Sequence, residues 1–272
     1  MAMSPAQMEA AIGQLRGLFK QQAHLLTRTR QKVFALEAAQ RLAEMGRKPV
    51  YPIEFRSQFG EDLLIYNAFD GKPDGYFIEV GAFDGYQYST TYGLECMGWT
   101  GLLIEGIPER AKSCAERRKH ARVVNAALSR KGSTGTASFT VTEDPYGGML
   151  SYLNTTHQHL AGITNAKKTS VTVPLTTMDD LLAQEPPPGG EIDVASIDVE
   201  GGELPLLQGF DLHKHRPKLL LLEENSRGAD PALANYMSTQ PYVNMGWIEF
   251  NAIYVRADLT DLQHRLSLAF KP

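Results

Sequence analysis

Acidic residues recur where apolar, strand-like runs of this 272-residue chain stop. Tyr76-Phe-Ile-Glu-Val80 runs into Gly81-Ala-Phe-Asp-Gly85, and Thr100-Gly-Leu-Leu-Ile-Glu105 ends on an acid. Ile192-Asp-Val-Ala-Ser-Ile-Asp198 continues to Glu200, and Lys218-Leu-Leu-Leu-Leu ends on Glu223-Glu224. Ligands of parallel sheets bind beyond the carboxyl ends of the strands, so these acids are expected to converge on one crevice. The first turn reads acid-x-Gly-x-x-x-Gly through Glu79, Gly81 and Gly85. It is neither the dinucleotide fingerprint nor a phosphate-cradling loop, which need Gly-x-Gly-x-x-Gly or a terminal Gly-Lys-Ser/Thr. A carboxylate before the turn suits a cationic ligand and repels a pyrophosphate. Glu105 lies 20 residues past Gly85, the usual interval to the acid that binds ribose hydroxyls. These features predict S-adenosylmethionine ahead of NAD.

The elements that must position these residues follow from local pattern. Strand, glycine turn, helix (residues 89–97), strand, acid is the order of a doubly wound α/β unit. A charged helix is expected from Glu109 to about Lys119, then a third strand over Arg122–Leu128. Thr136–Thr142 alternates like an extra strand, and Ser170–Leu175 is another. Thr177 and Asp230 are expected to cap helices, and Glu203–Gln208 forms a short one stopped at Gly209. The run Leu219–Leu222 suits a strand buried on both faces. Trp247–Val255 closes the sheet as a single strand, followed by a polar tail. Residues 143–170 are expected to be a long surface loop, with Tyr146-Gly-Gly148 as a hinged lid over the acceptor.

Residues 1–49 differ from the rest. They carry eight Lys or Arg against three acids, a charge of +5, while the remainder carries −9. Apolar residues from Leu15 to Met45 fall near helical spacing, which predicts one or two amphipathic helices ended by the prolines at 49 and 52. Packing on the body or on a second subunit is the expected role, so a homo-oligomer through these helices is expected. A membrane-surface helix or a contact with an anionic carrier are the alternatives. The chain therefore divides into a helical extension, 1–49, and a catalytic domain, 50–272.

Composition narrows the function classes. The net charge of −4 gives no case for nucleic acid, and no apolar run reaches the ~20 residues of a membrane span. Two cysteines, Cys96 and Cys114, make neither a disulfide framework nor a zinc site, so a reduced cytoplasmic setting is expected.

Several pieces in fixed order resemble the FkbM-type methyltransferases. They are Ser57-Gln-Phe-Gly-Glu-Asp62, Phe77-Ile-Glu-Val-Gly-Ala-Phe-Asp-Gly85, Leu94–Glu105, Asn125–Leu128, Leu175–Leu182 and Ile197-Asp-Val-Glu-Gly-Gly-Glu203, followed by Arg216-Pro217 and the Glu223-Glu224 strand. The resemblance spans about residues 55–255. It implies a Rossmann-like fold with a seven-strand, mostly parallel sheet, helices on both faces, and methyl transfer from S-adenosylmethionine, usually to a hydroxyl of a sugar or other secondary metabolite. By motif position it implies that Glu79, Gly81 and Asp84 lie at the methionine end, Glu105 on the ribose and Asn125-Ala126 near the adenine. Gln58 and Asp62 would close over the cofactor. Capping of the following helix is the competing reading of Gln58 and Asp62.

Methyl transfer requires alignment of the acceptor oxygen and removal of its proton. Asp198 is the first candidate for the active edge, and His157 or His159 for a general base. Asp198 and Glu200 point the same way if the strand continues, and with Glu223 or Glu224 they could hold Mg²⁺ or another divalent cation; Glu224 is the first choice. Glu200 and Glu203 have a plainer role as caps of the following turn. Lys167 and Lys168 read as a solvated pair or a contact for an anionic acceptor. A small-molecule or glycan acceptor is expected. A non-catalytic cofactor-binding scaffold and an NAD-dependent enzyme are the alternatives.

Overall fold

A computed structural model of the protein describes residues 4–143, 152–153 and 167–269. The chain opens with helix α1 (Pro5–Glu44), then α2 (Glu61–Ala68), β1 (Tyr76–Val80), α3 (Tyr92–Met97), β2 (Thr100–Glu105), α4 (Pro108–Arg117) and β3 (Ala121–Asn125). Next come β4 (Ala127–Leu128), β5 (Thr136–Glu143), β6 (Tyr152–Leu153), β7 (Lys167–Thr176), α5 (Met178–Gln184) and β8 (Val194–Ile197). The remainder is α6 (Glu203–Leu207), β9 (Leu219–Glu223), α7 (Pro231–Ser238), β10 (Tyr242–Ile248), β11 (Asn251–Arg256) and α8 (Thr260–Ala269).

Seven strands form the main sheet in the order β10-β11-β9-β8-β1-β2-β3. β1, β2, β3, β8 and β9 run parallel, and β11 is antiparallel to both of its neighbours, β9 and β10. Side-chain alternation then builds two cores. Ile78, Val80, Leu102, Ile104, Ala195, Ile197, Leu220 and Leu222 face α5, α6 and α7. Phe77, Leu103, Val194, Leu219 and Leu221 face α2, α3, α4 and α8. A strand covered on both faces has no position for a polar side chain except at its ends, which is why the acids stand there.

Local sequence accounts for the helix boundaries. Thr177 accepts a hydrogen bond from the Asp180 N–H, and Asp230 accepts from Ala232 and Leu233, as caps of α5 and α7. Ser4 and Gln7 form a reciprocal capping box at the start of α1. No proline falls between Pro5 and Pro49, so the extension is one 40-residue helix. Its C-terminal part packs through Ala38 and Leu42 against Phe55, Leu63, Tyr66 and Met97. Among the described residues, no helix is long and apolar enough to cross a membrane.

Three expected elements differ. The Arg122–Leu128 run breaks at Ala126. β3 stays in the main sheet, while Ala127 and Leu128 pair with β7 in a second sheet of order β4-β7-β5-β6. The expected Trp247–Val255 strand is a hairpin, because the chain reverses at Glu249, which takes φ 48°. The polar tail contains α8, whose Leu262 and Leu266 fill the second core; its apolar spacing is sparse because only one narrow face is covered.

The turn after β1 is tied to α4 by a buried ion network. Arg118, 1% exposed, pairs through Nε with Glu95 Oε2. Its Nη1 donates to Gly85 O at 3.0 Å and Ser89 Oγ at 3.1 Å, and Nη2 donates to Thr91 Oγ1 at 2.9 Å. Glu79 Oε2 lies 3.7 Å from Nη1. Removing one member of such a network leaves buried charge uncompensated, at a cost of about 3–5 kcal/mol. Arg118→Met is therefore expected to lower unfolding stability by about that amount, read by urea denaturation; a loss below about 1 kcal/mol would show that the network carries little.

Candidate functional site

An open cleft with about 820 Å³ of empty space lies at the carboxyl edge of β1, β2 and β8. Gly81 forms its floor. The β1 and β8 strands approach so closely here that a Cβ on Gly81 would stand 1.9 Å from the Asp198 carbonyl oxygen. Gly81 also takes φ 82°, which favours glycine. The Gly81 and Ala82 N–H groups both donate to Ile104 O, at 3.0 and 3.1 Å, so the turn is sewn to β2.

Glu105 closes the β2 side. It is 5% exposed and lines the cleft, with Oε2 accepting from the Phe83 N–H at 2.9 Å and Oε1 from the Ile107 N–H at 2.7 Å. Burial pushes its pKa up, and the two backbone donors oppose that shift. On the other side, Asp198 and Glu200 also line the cleft. Asp198 is open to solvent through the cleft, yet protein atoms crowd it. The lost hydration raises its pKa, while a hydrogen bond with Glu223 works the other way. Glu223 is raised further, by burial and then by the charges of Asp198 and Glu200. The Asp198 and Glu223 carboxylate oxygens lie within 4.8 Å of each other, and carboxylates that close cannot both ionise cheaply.

The sequence candidates separate into a lining set and a supporting set. Gly81, Glu105, Ala126, Asp198 and Glu200 face the cleft. Glu79, Asp84 and Asn125 do not line it. Glu79 is consumed by the turn: it accepts from Ser89 Oγ and the Thr90 N–H, both at 2.9 Å, and from Thr91 Oγ1. Asp84 accepts from the Tyr86 and Gln87 N–H groups and pairs with Arg117. Asn125 donates to the carbonyls of Glu105 and Gly106, at 2.9 and 2.8 Å, and so fixes the β2 end.

Two motif residues are corrected. Asp62 is 0% exposed and unavailable to a ligand. It accepts from the Ser57 N–H at 2.8 Å, from Ser57 Oγ at 2.5 Å and from the Leu63 N–H at 2.9 Å, with Gln31 of α1 at 3.4 Å. It thus locks the entry of α2, the capping role. Gln58 sits exposed on the adjoining turn and does not line the cleft.

The acid cluster takes Glu223, not Glu224, of the two adjacent glutamates. Asp198, Glu200 and Glu223 bring carboxylate oxygens within 4.8 Å of one another, the set capable of holding a cation among the described residues. Glu224 does not join them. It follows Glu223 directly, so it leaves the strand in another direction, and its carboxylate accepts from the Ser226 and Gly228 N–H groups. Glu203 has the capping role, accepting from the Val199 and Gly201 N–H groups at 3.1 Å; burial pushes it up to about 7.

His157, His159 and Tyr146–Gly148 lie outside the described residues. Lys168 lies on β7, away from the cleft lining. Three lining residues carry no sequence signal of their own. Phe139 reaches the cleft from β5, 3.0 Å from where a Cβ of Gly106 would be. Phe83 takes φ 52°, and the Arg110 guanidinium stands 4.7 Å above its ring. The alternation of residues 136–142 announces a strand but not which side of the molecule receives Phe139.

A family model described as the methyltransferase FkbM domain matches residues 79–242. No curated protein matches the chain. Among solved structures, it is similar to a TehB-like SAM-dependent methyltransferase from Corynebacterium glutamicum, with a TM-score of 0.37 at 13% identity over 83% of this chain and 99% of that one. It is likewise similar to a candidate RNA methyltransferase from Pyrococcus horikoshii, with a TM-score of 0.38 at 12% identity over 84% and 98%.

The β1–β8 contact makes Gly81 the most constrained position of the cleft. Gly81→Ala adds a Cβ against backbone and strains a left-handed residue, each costing of order 1–3 kcal/mol. The variant is expected to unfold at distinctly lower urea concentration than the wild type, and equal midpoints would show that β1 and β8 can separate freely.

Proposed function

The chain belongs to the FkbM methyltransferase family, and on that premise we propose that it uses S-adenosylmethionine to methylate a hydroxyl of a sugar or secondary-metabolite acceptor. The observation that carries this reading is the cleft over Gly81, walled by Glu105 on one side and Asp198 on the other. Its residues fit such a cofactor. The glycine floor admits a ligand close to the backbone, and Glu105 stands where ribose hydroxyls would donate. Ala126, Leu128 and Phe139 supply an apolar end for a base. The acids at the other end suit a positive charge, and among the described residues Arg110 is the only basic one in the lining. When bound, S-adenosylmethionine would supply a sulfonium methyl whose carbon a hydroxyl oxygen attacks, the carbon–sulfur bonding pair passing to sulfur and the thioether leaving.

The chain's own part is to orient the acceptor and take its proton. Asp198 stands at the cleft, and burial raises its pKa, the direction that makes a carboxylate a better general base. Glu223 stands behind it, its own pKa raised by burial and by the charges of Asp198 and Glu200. The proposal gives this step to Asp198 rather than to a cation on Asp198, Glu200 and Glu223, or to His157.

Calorimetry separates the cofactor readings. S-adenosylmethionine and its demethylated product are expected to bind and NAD is not; binding of neither sulfur compound would sink the proposal. Glu105→Ala is expected to weaken binding of the demethylated product by roughly tenfold or more. With a panel of sugar and polyketide hydroxyl acceptors, Asp198→Asn is expected to lower kcat by roughly 10²–10⁴ with cofactor binding retained. Turnover is expected to survive a chelator and His157→Ala. Loss restored by Mg²⁺ would instead assign the three carboxylates to a cation, and loss in His157→Ala would move the base to that histidine.

A further inference from the structure

Helix α1 carries a feature that the catalytic cleft does not use. Residues 12–26 are all exposed, so the first half of the helix stands clear of the body. Met8, Ile12, Leu15, Phe19, Gln22, Leu26, Thr29, Val33 and Leu36 follow one another in alternating steps of four and three residues. That 3.5-residue period, sustained over four heptads, is the signature of a coiled-coil seam rather than of a helix lying on a globular core. Seven of the nine are apolar, and all seven are 46–74% exposed.

The side of the helix that packs on the body is a different one. Gln31, Ala38 and Leu42 are 0–3% exposed and lie on the face opposite the seam. Gln31 donates to Ser57 O at 2.9 Å, anchoring the helix at the mouth of α2. The seam is thus left facing outward while the opposite face is docked. A helix half surrounded by water is marginal by itself, and contiguous exposed apolar stripes mark interaction sites.

We propose that α1 pairs with α1 of a second copy of this chain in a two-stranded coiled coil. Three observations select that occupant. One core position holds Ile12, Phe19, Leu26 and Val33 and the other Met8, Leu15, Gln22, Thr29 and Leu36; β-branched residues at the first and Leu at the second are the types that favour two parallel strands. In a parallel, in-register pair the flanking pairs are Ala11 with Arg16, Leu18 with Ala23, Leu25 with Arg30 and Lys32 with Glu37, so no like charges oppose; Oε1 of Glu37 already pairs with Arg41 and accepts from the Tyr66 hydroxyl of its own chain. The seam runs unbroken from Met8 to Leu36, with the exposed apolar side chains of Leu18 and Leu25 beside it, the sustained repeat that a coiled coil requires.

Light scattering on the full chain at tens of micromolar is expected to give twice the chain mass. Phe19→Glu combined with Leu26→Glu changes only side chains that are 60–67% exposed, so the body folds as before. That variant is expected to be monomeric with an unchanged near-ultraviolet dichroism spectrum. A monomeric wild type, or a variant that keeps the dimer mass, overturns the proposal. So does a wild type that is monomeric in solution and floats with vesicles of phosphatidylserine and phosphatidylcholine, which would assign the stripe to a membrane surface.

Discussion

The buried guanidinium of Arg118 governs the shape of the turn on which the cleft is built. A charge with 1% exposure is tolerable only where every donor finds a partner, and here Glu95, Gly85 O, Ser89 and Thr91 provide them. The network draws the segment from Gly85 to Thr91 onto α4. It leaves no room beside Gly85, where a Cβ would meet Cys114 Sγ at 2.7 Å and Arg118 Cγ at 2.8 Å. It also recruits Glu79. An acid at the end of β1 invites a ligand-binding reading, yet its oxygens are occupied by Ser89, Thr90 and Thr91. Its charge is spent on the scaffold, within 3.7 Å of Arg118.

With Glu79 turned into the scaffold, the ligand-facing charge passes to the neighbouring strands. Gly81 lets β1 and β8 come close enough to place Asp198 opposite Glu105 across one cleft. Asp198 and Glu223 then bring their carboxylate oxygens within 4.8 Å of each other, where double ionisation is costly. The result is an acidic edge facing apolar residues that include Phe139. An arrangement of that kind favours a ligand that is cationic at one end and apolar at the other, and a proton acceptor beside it. The small second sheet contributes by covering: β5 brings Phe139 over Gly106, so the pocket has a wall that the doubly wound sheet lacks.

The chain's local patterns determine a good deal of this. Apolar runs of strand length, turn glycines and capping residues such as Thr177 and Asp230 are decided by neighbours within a few positions. The order of those elements, with acids at the strand ends, specifies a mostly parallel sheet and a ligand edge, and the missing second glycine argues against a dinucleotide. What needed the tertiary structure was every choice between two partners of equal local merit. Glu223 and Glu224 are adjacent carboxylates, and only the placement of β9 beside β8 turns the first toward Asp198. Asp62 carries the same chemistry as an exposed ligand-binding acid until Ser57 and Gln31 close around it. Phe139 becomes a wall of the cleft only because β5 folds back over β2. The helical period of α1 is written in its residues, but which face the body takes depends on Ala38 and Leu42 meeting α2 and α3. Hydrogen bonding and hydrophobic periodicity are short-range in sequence, whereas the direction of a side chain at a strand end depends on residues scores of positions away.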